Sequence, residues 1–386
     1  MTGVADPAIR DAAWEIAARA PEELAALVDI SSPSGDVPGA EAALALCVSL
    51  LPPGAEIERP TCSTAGSAPD LVATVTGTGA RRALLVGHVD TVIGHDAHQP
   101  LRRDGERLYG TGATDMKGGD ILALGVARAL AEDPSSFAEL AILLVTDEEW
   151  RVSPFVHAPR FAGYDACLCF EAGQLTPDGE EGVVVTRKAA GTLRVVAEGR
   201  AAHSGSAPDR GRNALLALAR TAQAIARLHD PGGVDQLSAV PTVMRSGDAF
   251  NVVPANGELI VDLRARRLAA FDPVLAAIEP ASEEVMLRPR MERRWPAMDS
   301  RAATADLLAR ASRLTGRPVV GIARGGASDA SHFADTIALT VDGLGPRGGG
   351  AHTPEEFVLA DALRERAEIA LAVTRAALSI SESPAG

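Results

Sequence analysis

Two stretches decide the fold: Ala-Leu-Leu-Val-Gly-His-Val-Asp at 83–90 and Glu-Leu-Ala-Ile-Leu-Leu-Val-Thr-Asp-Glu-Glu at 139–149. Each is an unbroken apolar run of strand length that ends abruptly in polar residues. A strand covered on both faces reads as such a run, whereas a half-exposed strand alternates. Residues 71–77 form a shorter strand of the same kind. Between the two stretches, 117–131 is rich in Ala and Leu and predicts a helix. A further apolar run, Ala-Cys-Leu-Cys-Phe at 166–170, leads into Glu171. This strand–helix alternation predicts an α/β sheet with substantial parallel content. Open α/β sheets bind ligands beyond the carboxyl ends of their strands. Three separate strands carry His88, Asp90, Glu148, Glu149 and Glu171 to that rim.

The pattern changes near residue 183. Segments 183–188, 192–198, 238–245 and 257–266 alternate polar and apolar residues, as strands with one exposed face do. Helices are predicted between them at 212–228 and 268–278. After residue 296 the α/β character returns, with helices at 301–315 and 359–378 and strands at 318–323 and 336–341. The organisation expected is a catalytic domain in two parts, 1–186 and 296–386, interrupted by an inserted α+β domain at 187–295.

The chain has 386 residues, room for two domains. A formal net charge of −14 argues against nucleic acid or an anionic membrane surface as partner. Cys47, Cys62, Cys167 and Cys169 are too few and scattered for a disulfide framework. Cys167 and Cys169 share one face of a strand and read as buried thiols more readily than as a thiolate metal site. Residues 7–28 are amphipathic and lack the apolar core of a signal peptide, and no uncharged run spans a bilayer. The expectation is a cytoplasmic protein.

His88 is a neutral nitrogen donor suited to zinc. Asp90, two residues on, projects from the same side and is placed to accept the second ring N–H, or to make a local hydrogen bond and nothing more. Asp115 in Thr-Asp-Met-Lys-Gly-Gly, 114–119, reads either as a helix cap or as a carboxylate bridging two metals. Glu148 and Glu149 point differently because they are adjacent, so one suits a metal and the other a general base. His352, after the glycine run 348–350, closes a site from the far end of the sequence, and the glycines suggest a mobile approach. His203 in Ala-Ala-His-Ser-Gly, 201–205, reads equally as a turn histidine or a functional one. Asn213 and Arg264 read as substrate contacts or as ordinary cap and ion-pair residues. Two histidines and several carboxylates on α/β units suggest two divalent metals sharing a bridging carboxylate, and therefore a hydrolase.

In combination and order, Gly-His-Val-Asp-Thr-Val, Gly-Ala-Thr-Asp-Met-Lys-Gly-Gly, Thr-Asp-Glu-Glu, Phe-Glu and His-Thr-Pro resemble the di-zinc aminoacylase/carboxypeptidase family. That family includes glutamate carboxypeptidases, acetylornithine deacetylase and succinyl-diaminopimelate desuccinylase. The resemblance runs from Leu-Val-Asp-Ile-Ser-Ser-Pro-Ser-Gly at 27–35 to His352. It implies a zinc-peptidase-like catalytic domain with a mixed sheet and an inserted ferredoxin-like lid and dimerisation domain. It implies one zinc on His88, Asp115 and Glu171, and another on Asp115, Glu149 and His352, with cobalt and manganese as alternatives. Asp90 would orient His88, and Glu148 would act as general base. His203 would reach a partner's active site, and Asn213 and Arg264 would hold substrate. The loop 325–329, with Gly326, would line the pocket. Glu at 171 is similar to the glutamate carboxypeptidase branch. Trp150-Arg151-Val152-Ser153-Pro154 departs from the Gly- or Ser-rich sequence usual after the glutamate pair, which puts substrate identity in doubt.

The function implied is hydrolysis of an amide or peptide bond in an N-acyl amino acid or short peptide with a free carboxylate, glutamate-carboxypeptidase-like. A small-molecule N-deacylase and a non-hydrolytic metal-binding relative are the alternatives.

Overall fold

The computed structural model describes residues 5–279, 281, 282 and 284–379, and it divides into two units. Among the described residues, unit 1 takes in those up to Thr186, Met298–Ala323 and those from Ser328 onward; unit 2 takes in Arg187–Ala297 and Arg324–Ala327.

Unit 1 is built on a six-stranded mixed sheet. Its strands are β1 (Glu56–Glu58), β2 (Leu71–Thr76), β3 (Arg82–His88), β4 (Glu139–Val145), β5 (Ala166–Cys169) and β6 (Leu339–Val341), in the order β1-β2-β4-β3-β5-β6. The pairs β4–β3, β3–β5 and β5–β6 are parallel, while β1–β2 and β2–β4 are antiparallel. The apolar runs have the burial their composition demands. Ala83, Leu85, Leu140, Ile142, Leu144, Ala166 and Leu168 face one core, which they share with helices Pro7–Val28, Gly118–Ala131, Arg301–Thr315 and Ala360–Ser379. Leu84, Val86, Ala141, Leu143, Val145, Cys167 and Cys169 face a second core containing Phe161, Phe333 and Ile337. Strand alternation with both faces buried is why no polar residue interrupts these segments. Burial also raises the Cys167 thiol well above its usual pKa, as for an inert packing residue.

Helix Val37–Ser49 is not evident from the sequence. It is apolar almost all round, so it offers no 3.6-residue contrast. Its start is fixed by Asp36, whose side chain accepts the Gly39 N–H at 2.7 Å.

Unit 2 is an antiparallel sheet in the order Ser238–Ser246, Asn256–Ala265, Ala189–Glu198, Val285–Trp295, with 281–282 at one edge. Leu193, Val195, Ala197, Leu259, Val261 and Leu263 pack under helix Ala214–Ala226 with Phe271 and Val274. The alternate positions carry ion pairs, Arg194 with Glu258 at 3.0 Å and with Glu292 at 2.8 Å. The helix expected over 268–278 is broken. A 3-10 turn at Leu268–Phe271 precedes a short helix, Asp272–Ala276, because Pro273 lacks the N–H an uninterrupted helix needs and fits only a first turn. Strand Val285–Trp295 escapes the sequence pattern because Pro289 and its arginines mask the alternation. No helix among the described residues is long and apolar enough to cross a membrane.

One contact positions the sheet rim. A Cβ added at Gly119, at the start of helix Gly118–Ala131, would lie 1.9 Å from the carbonyl oxygen of Phe170, the residue before Glu171. Backbone cannot yield there as a flexible side chain would. Gly119→Ala is therefore expected to destabilise the protein by about 3 kcal/mol or more, lowering the thermal midpoint by roughly 6 °C or more in a calorimetric scan.

Candidate active site

The site is assembled at the carboxyl ends of β3, β4 and β5 and completed by two loops. His88 ends β3 and is 1% exposed. Its Nδ1 lies 3.0 Å from the backbone carbonyl of Asp90 and 3.4 Å from that residue's Oδ1. Its Nε2 is thereby turned toward Asp115 Oδ1 at 3.2 Å and Glu171 Oε1 at 3.8 Å. The other oxygen of Asp115, Oδ2, lies 3.1 Å from His352 Nε2, which is also 3.2 Å from Glu149 Oε2. Asp115 therefore stands between two imidazole–glutamate pairs, one oxygen to each.

Backbone hydrogen bonds set these positions. The Asp90 carboxylate accepts the Glu148 N–H at 3.0 Å through Oδ1 and the Glu149 N–H at 3.2 Å through Oδ2, and Oδ2 also accepts the Ser34 hydroxyl at 2.5 Å. Asp90 thus holds both the His88 ring and the turn bearing the glutamate pair. A second carboxylate does the same for Asp115: Glu356 accepts the N–H groups of Gly112, Thr114 and Asp115, each at 2.9 Å. The glycines at 348–350 stand in close-packed backbone. Gly348 and Gly349 pair with Val358 and Phe357, and a Cβ at Gly348 would meet the Phe357 carbonyl at 2.1 Å. His352 itself adopts φ 65°, a left-handed conformation that brings its ring onto the site.

Burial and neighbouring charges shift the titration of several groups here. Burial drives Glu148 well above the usual carboxylate range, and Asp329, Glu171 and Glu149 add to this against the opposing pull of His88. Burial also raises Glu149, opposed by His352. Burial works against protonation of His88, but Asp115, Asp90 and Glu148 carry it well above its usual value. Asp115 and Glu149 raise His352 to about 10. Asp115 is held below the usual range by the two histidines, despite its burial. Glu356 is pushed up to about 7 by burial, against its three amide donors.

The donor set fits divalent metal. His88, Asp115 and Glu149 offer ligand atoms all within 4.8 Å of one another. Glu149 Oε1 is buried with no hydrogen-bond partner. Imidazole nitrogens and carboxylate oxygens converging in this way are donors for zinc and its neighbours. A second convergent group, Cys62, Asp70 and Asp147, is different in kind. Asp70 accepts from Thr146 and lies 2.7 Å from His157 Nε2, while Asp147 accepts the Thr64 N–H and the Arg151 guanidinium, so these carboxylates already have partners.

Four of the residues singled out in the sequence lie in unit 2. His203 is exposed, and its Nδ1 accepts the N–H groups of Gly205 and Ser206 at 3.1 and 3.2 Å, which assigns the proton of the neutral ring to Nε2. Asn213 caps helix Ala214–Ala226, its Oδ1 accepting the Leu216 N–H at 3.1 Å. The Arg264 fork is engaged by both oxygens of Asp262 at 3.1 Å. The Gly326 carbonyl accepts Arg187 Nη1 at 2.8 Å. Glu356 was not visible in the sequence, since nothing in His-Thr-Pro-Glu-Glu separates a buried Glu356 from an exposed Glu355.

Residues 84–376 match the profile of peptidase family M20/M25/M40, and the chain belongs to that family. It is a metal-dependent hydrolase of the peptidase and amidohydrolase type. It is 27% identical to carboxypeptidase G2 of Pseudomonas sp. (strain RS-16), over 88% of this chain and 85% of that one. It is 30% identical to succinyl-diaminopimelate desuccinylase of Xylella fastidiosa, over 77% of this chain and 83% of that one. The crystal structure of aminopeptidase PepT from Bacillus cereus superposes with a TM-score of 0.73 at 19% identity, covering 94% of this chain and 98% of that chain, a likeness of fold.

Glu356 makes a specific prediction. In Glu356→Gln the amide NH2 faces backbone donors it cannot accept from, so the Asp115 loop loses part of its support. Affinity for metal is expected to fall by about 10- to 100-fold, measured by competition with a chromogenic chelator, with the fold retained by circular dichroism.

Proposed function

We propose that the chain is a two-metal hydrolase that cleaves the amide bond of an N-acyl amino acid or short peptide carrying a free carboxylate, in the manner of a glutamate carboxypeptidase. The observation that carries this reading is the division of Asp115, one oxygen toward His88 and Glu171 and the other toward His352 and Glu149, with Glu148 buried beside them. His88, Asp115 and Glu171 would hold one metal and Asp115, Glu149 and His352 the other. Zinc suits this mixed nitrogen and oxygen set, and cobalt or manganese would be accepted by the same donors. When bound, the metals supply Lewis-acid activation of water and of the scissile carbonyl.

The protein's own groups do the rest. Glu148 takes a proton from the attacking water and passes it to the leaving amine, work for which a carboxylate of raised proton affinity is suited. Asp90 keeps Glu148 and Glu149 in register through their backbone N–H groups. The Nε2–H of His203 is a donor for the oxyanion of the tetrahedral intermediate. Arg264 and Asn213 hold the substrate carboxylate, which requires the Arg264 fork to exchange Asp262 for substrate. The Gly326 loop lines the pocket. Unit 2 serves as lid and dimerisation domain, so that His203 acts in the partner's site, and the protein works in the cytoplasm. A second reading, an N-deacylase of small molecules, is supported by the similarity to a desuccinylase.

Glu148→Gln is expected to lower turnover by about 10²- to 10⁴-fold with metal content unchanged. A mass-spectrometric panel of N-acetyl, N-succinyl and N-formyl amino acids, dipeptides and acyl-glutamates measures this. It also separates carboxypeptidase from deacylase, and unaltered turnover would remove Glu148 as the base. His203→Ala is expected to cost about 10²- to 10³-fold. Mixed dimers of His203→Ala and Glu148→Gln chains should regain activity through one intact site, and their complete inactivity would count against action in trans.

A further inference from the structure

The segment after the glutamate pair takes no part in the reaction proposed above, yet its residues divide sharply. Trp150 and Val152 are 63% and 56% exposed, whereas Arg151 between them is buried at 1%. A guanidinium withdrawn from water is costly unless acceptors receive it. Arg151 Nη1 donates to Asp147 Oδ1 at 3.0 Å and Nη2 donates to Asp329 Oδ1, and the guanidinium lies 4.7 Å from the centre of the Phe155 ring. Asp147 is the residue immediately before Glu148. Asp329, 2% exposed, opens the helix Ala330–Phe333, and its Oδ2 is buried with no hydrogen-bond partner. The arginine thus spans from the residue before Glu148 to the start of the helix Ala330–Phe333.

From this geometry we infer that Arg151 is a positioning residue for the hydrolysis: it grips the Glu148 turn through Asp147 and ties that turn to the buried Asp329, which holds the Glu148 carboxylate in its working pose. The inference rests on the reading of Glu148 as general base. It also explains why the departure at 150–154 keeps a charged residue where small ones are usual. The arginine is part of the inner support of the site, and the loop's exposed face is left to Trp150 and Val152.

The test uses the full-length, metal-loaded protein and whichever panel substrate the wild type cleaves. Arg151→Met, Arg151→Lys and the double variant Arg151→Met/Asp329→Asn are compared for kcat, KM, metal content and thermal midpoint. Arg151→Met should lose about 10²-fold in kcat, the scale of loss for a misplaced catalytic group. Its KM should stay within about threefold and its metal content at the wild-type level. Arg151→Lys, a single point charge without the fork, should fall between the two. The double variant should recover about tenfold of the lost kcat, because the unneutralised Asp329 charge is gone. A kcat for Arg151→Met within about threefold of wild type overturns the proposal. So does a loss that follows the thermal midpoint and is not relieved in the double variant, since that marks a structural arginine only. If Arg151→Met does not fold, Arg151→Lys against Arg151→Lys/Asp329→Asn asks the same question. A wild type that cleaves nothing on the panel overturns the substrate class proposed above, whereas an active wild type with an equally active Arg151→Met refutes this inference alone.

Discussion

Negative charge crowded under cover from solvent is the constraint to which the rest of unit 1 answers. Two like charges 4 Å apart repel by about 4 kcal/mol at an effective dielectric near 20, and the site gathers Asp90, Asp115, Glu148, Glu149, Glu171 and Asp329 around one rim. The sheet edge meets this with several devices. Imidazoles stand between carboxylates, as His88 and His352 do around Asp115. Backbone N–H groups turn inward on Asp90 and Glu356. Arg151 serves the far side. Asp120 is fully buried against Gly87 with no hydrogen-bond partner for either oxygen, and burial raises its pKa well above the usual range. Lys117, also fully buried, gives its ammonium to the Ile30 carbonyl at 2.6 Å. A hydrophobic core on both faces of the sheet keeps these arrangements in place while water is excluded.

Much of this was legible in the chain itself, and for a physical reason. Apolar runs of strand length that end abruptly in polar residues suit strands covered on both faces, so β3, β4 and β5 were expected from the sequence pattern. Once the ends were known, the polar residues standing there were placed on one rim without any contact being seen. What stayed illegible was of three kinds. Helix Val37–Ser49 lacks contrast, and strand Val285–Trp295 hides its period behind arginines and Pro289. Glu356 supports Asp115 from a position that no spacing links to it. Arg151 reads in sequence as part of a departing loop that bears on substrate identity, and only the fold reveals its partners, Asp147 and Asp329.

The two units make different demands on sequence. In unit 1 the candidate residues His88, Glu148, Glu149 and Glu171 stand at or just after the ends of strands whose burial positions them. In unit 2 the residues singled out also hold ordinary structural posts: Asn213 as a cap, Arg264 beside Asp262, Gly326 as an acceptor for Arg187. Local physics explains each of these without a ligand, which is why the reading of that unit leans on resemblance more than on geometry. The contrast with His203 is instructive, since its backbone contacts fix a tautomer with a donor directed away from the turn.

The bond from the Gly112 N–H to Glu356 joins residues 244 apart in sequence, and His352 meets Asp115 across a comparable span. This has a consequence for biosynthesis. A chain still being translated possesses His88, Asp115, Glu149 and Glu171 long before it possesses the residues that orient and complete them. Until the last segment docks, the early residues form an acidic cluster without Glu356 to hold the Asp115 loop or His352 to face it. Assembly of the site is thereby tied to completion of the polypeptide, and a truncated chain lacks the parts that finish it.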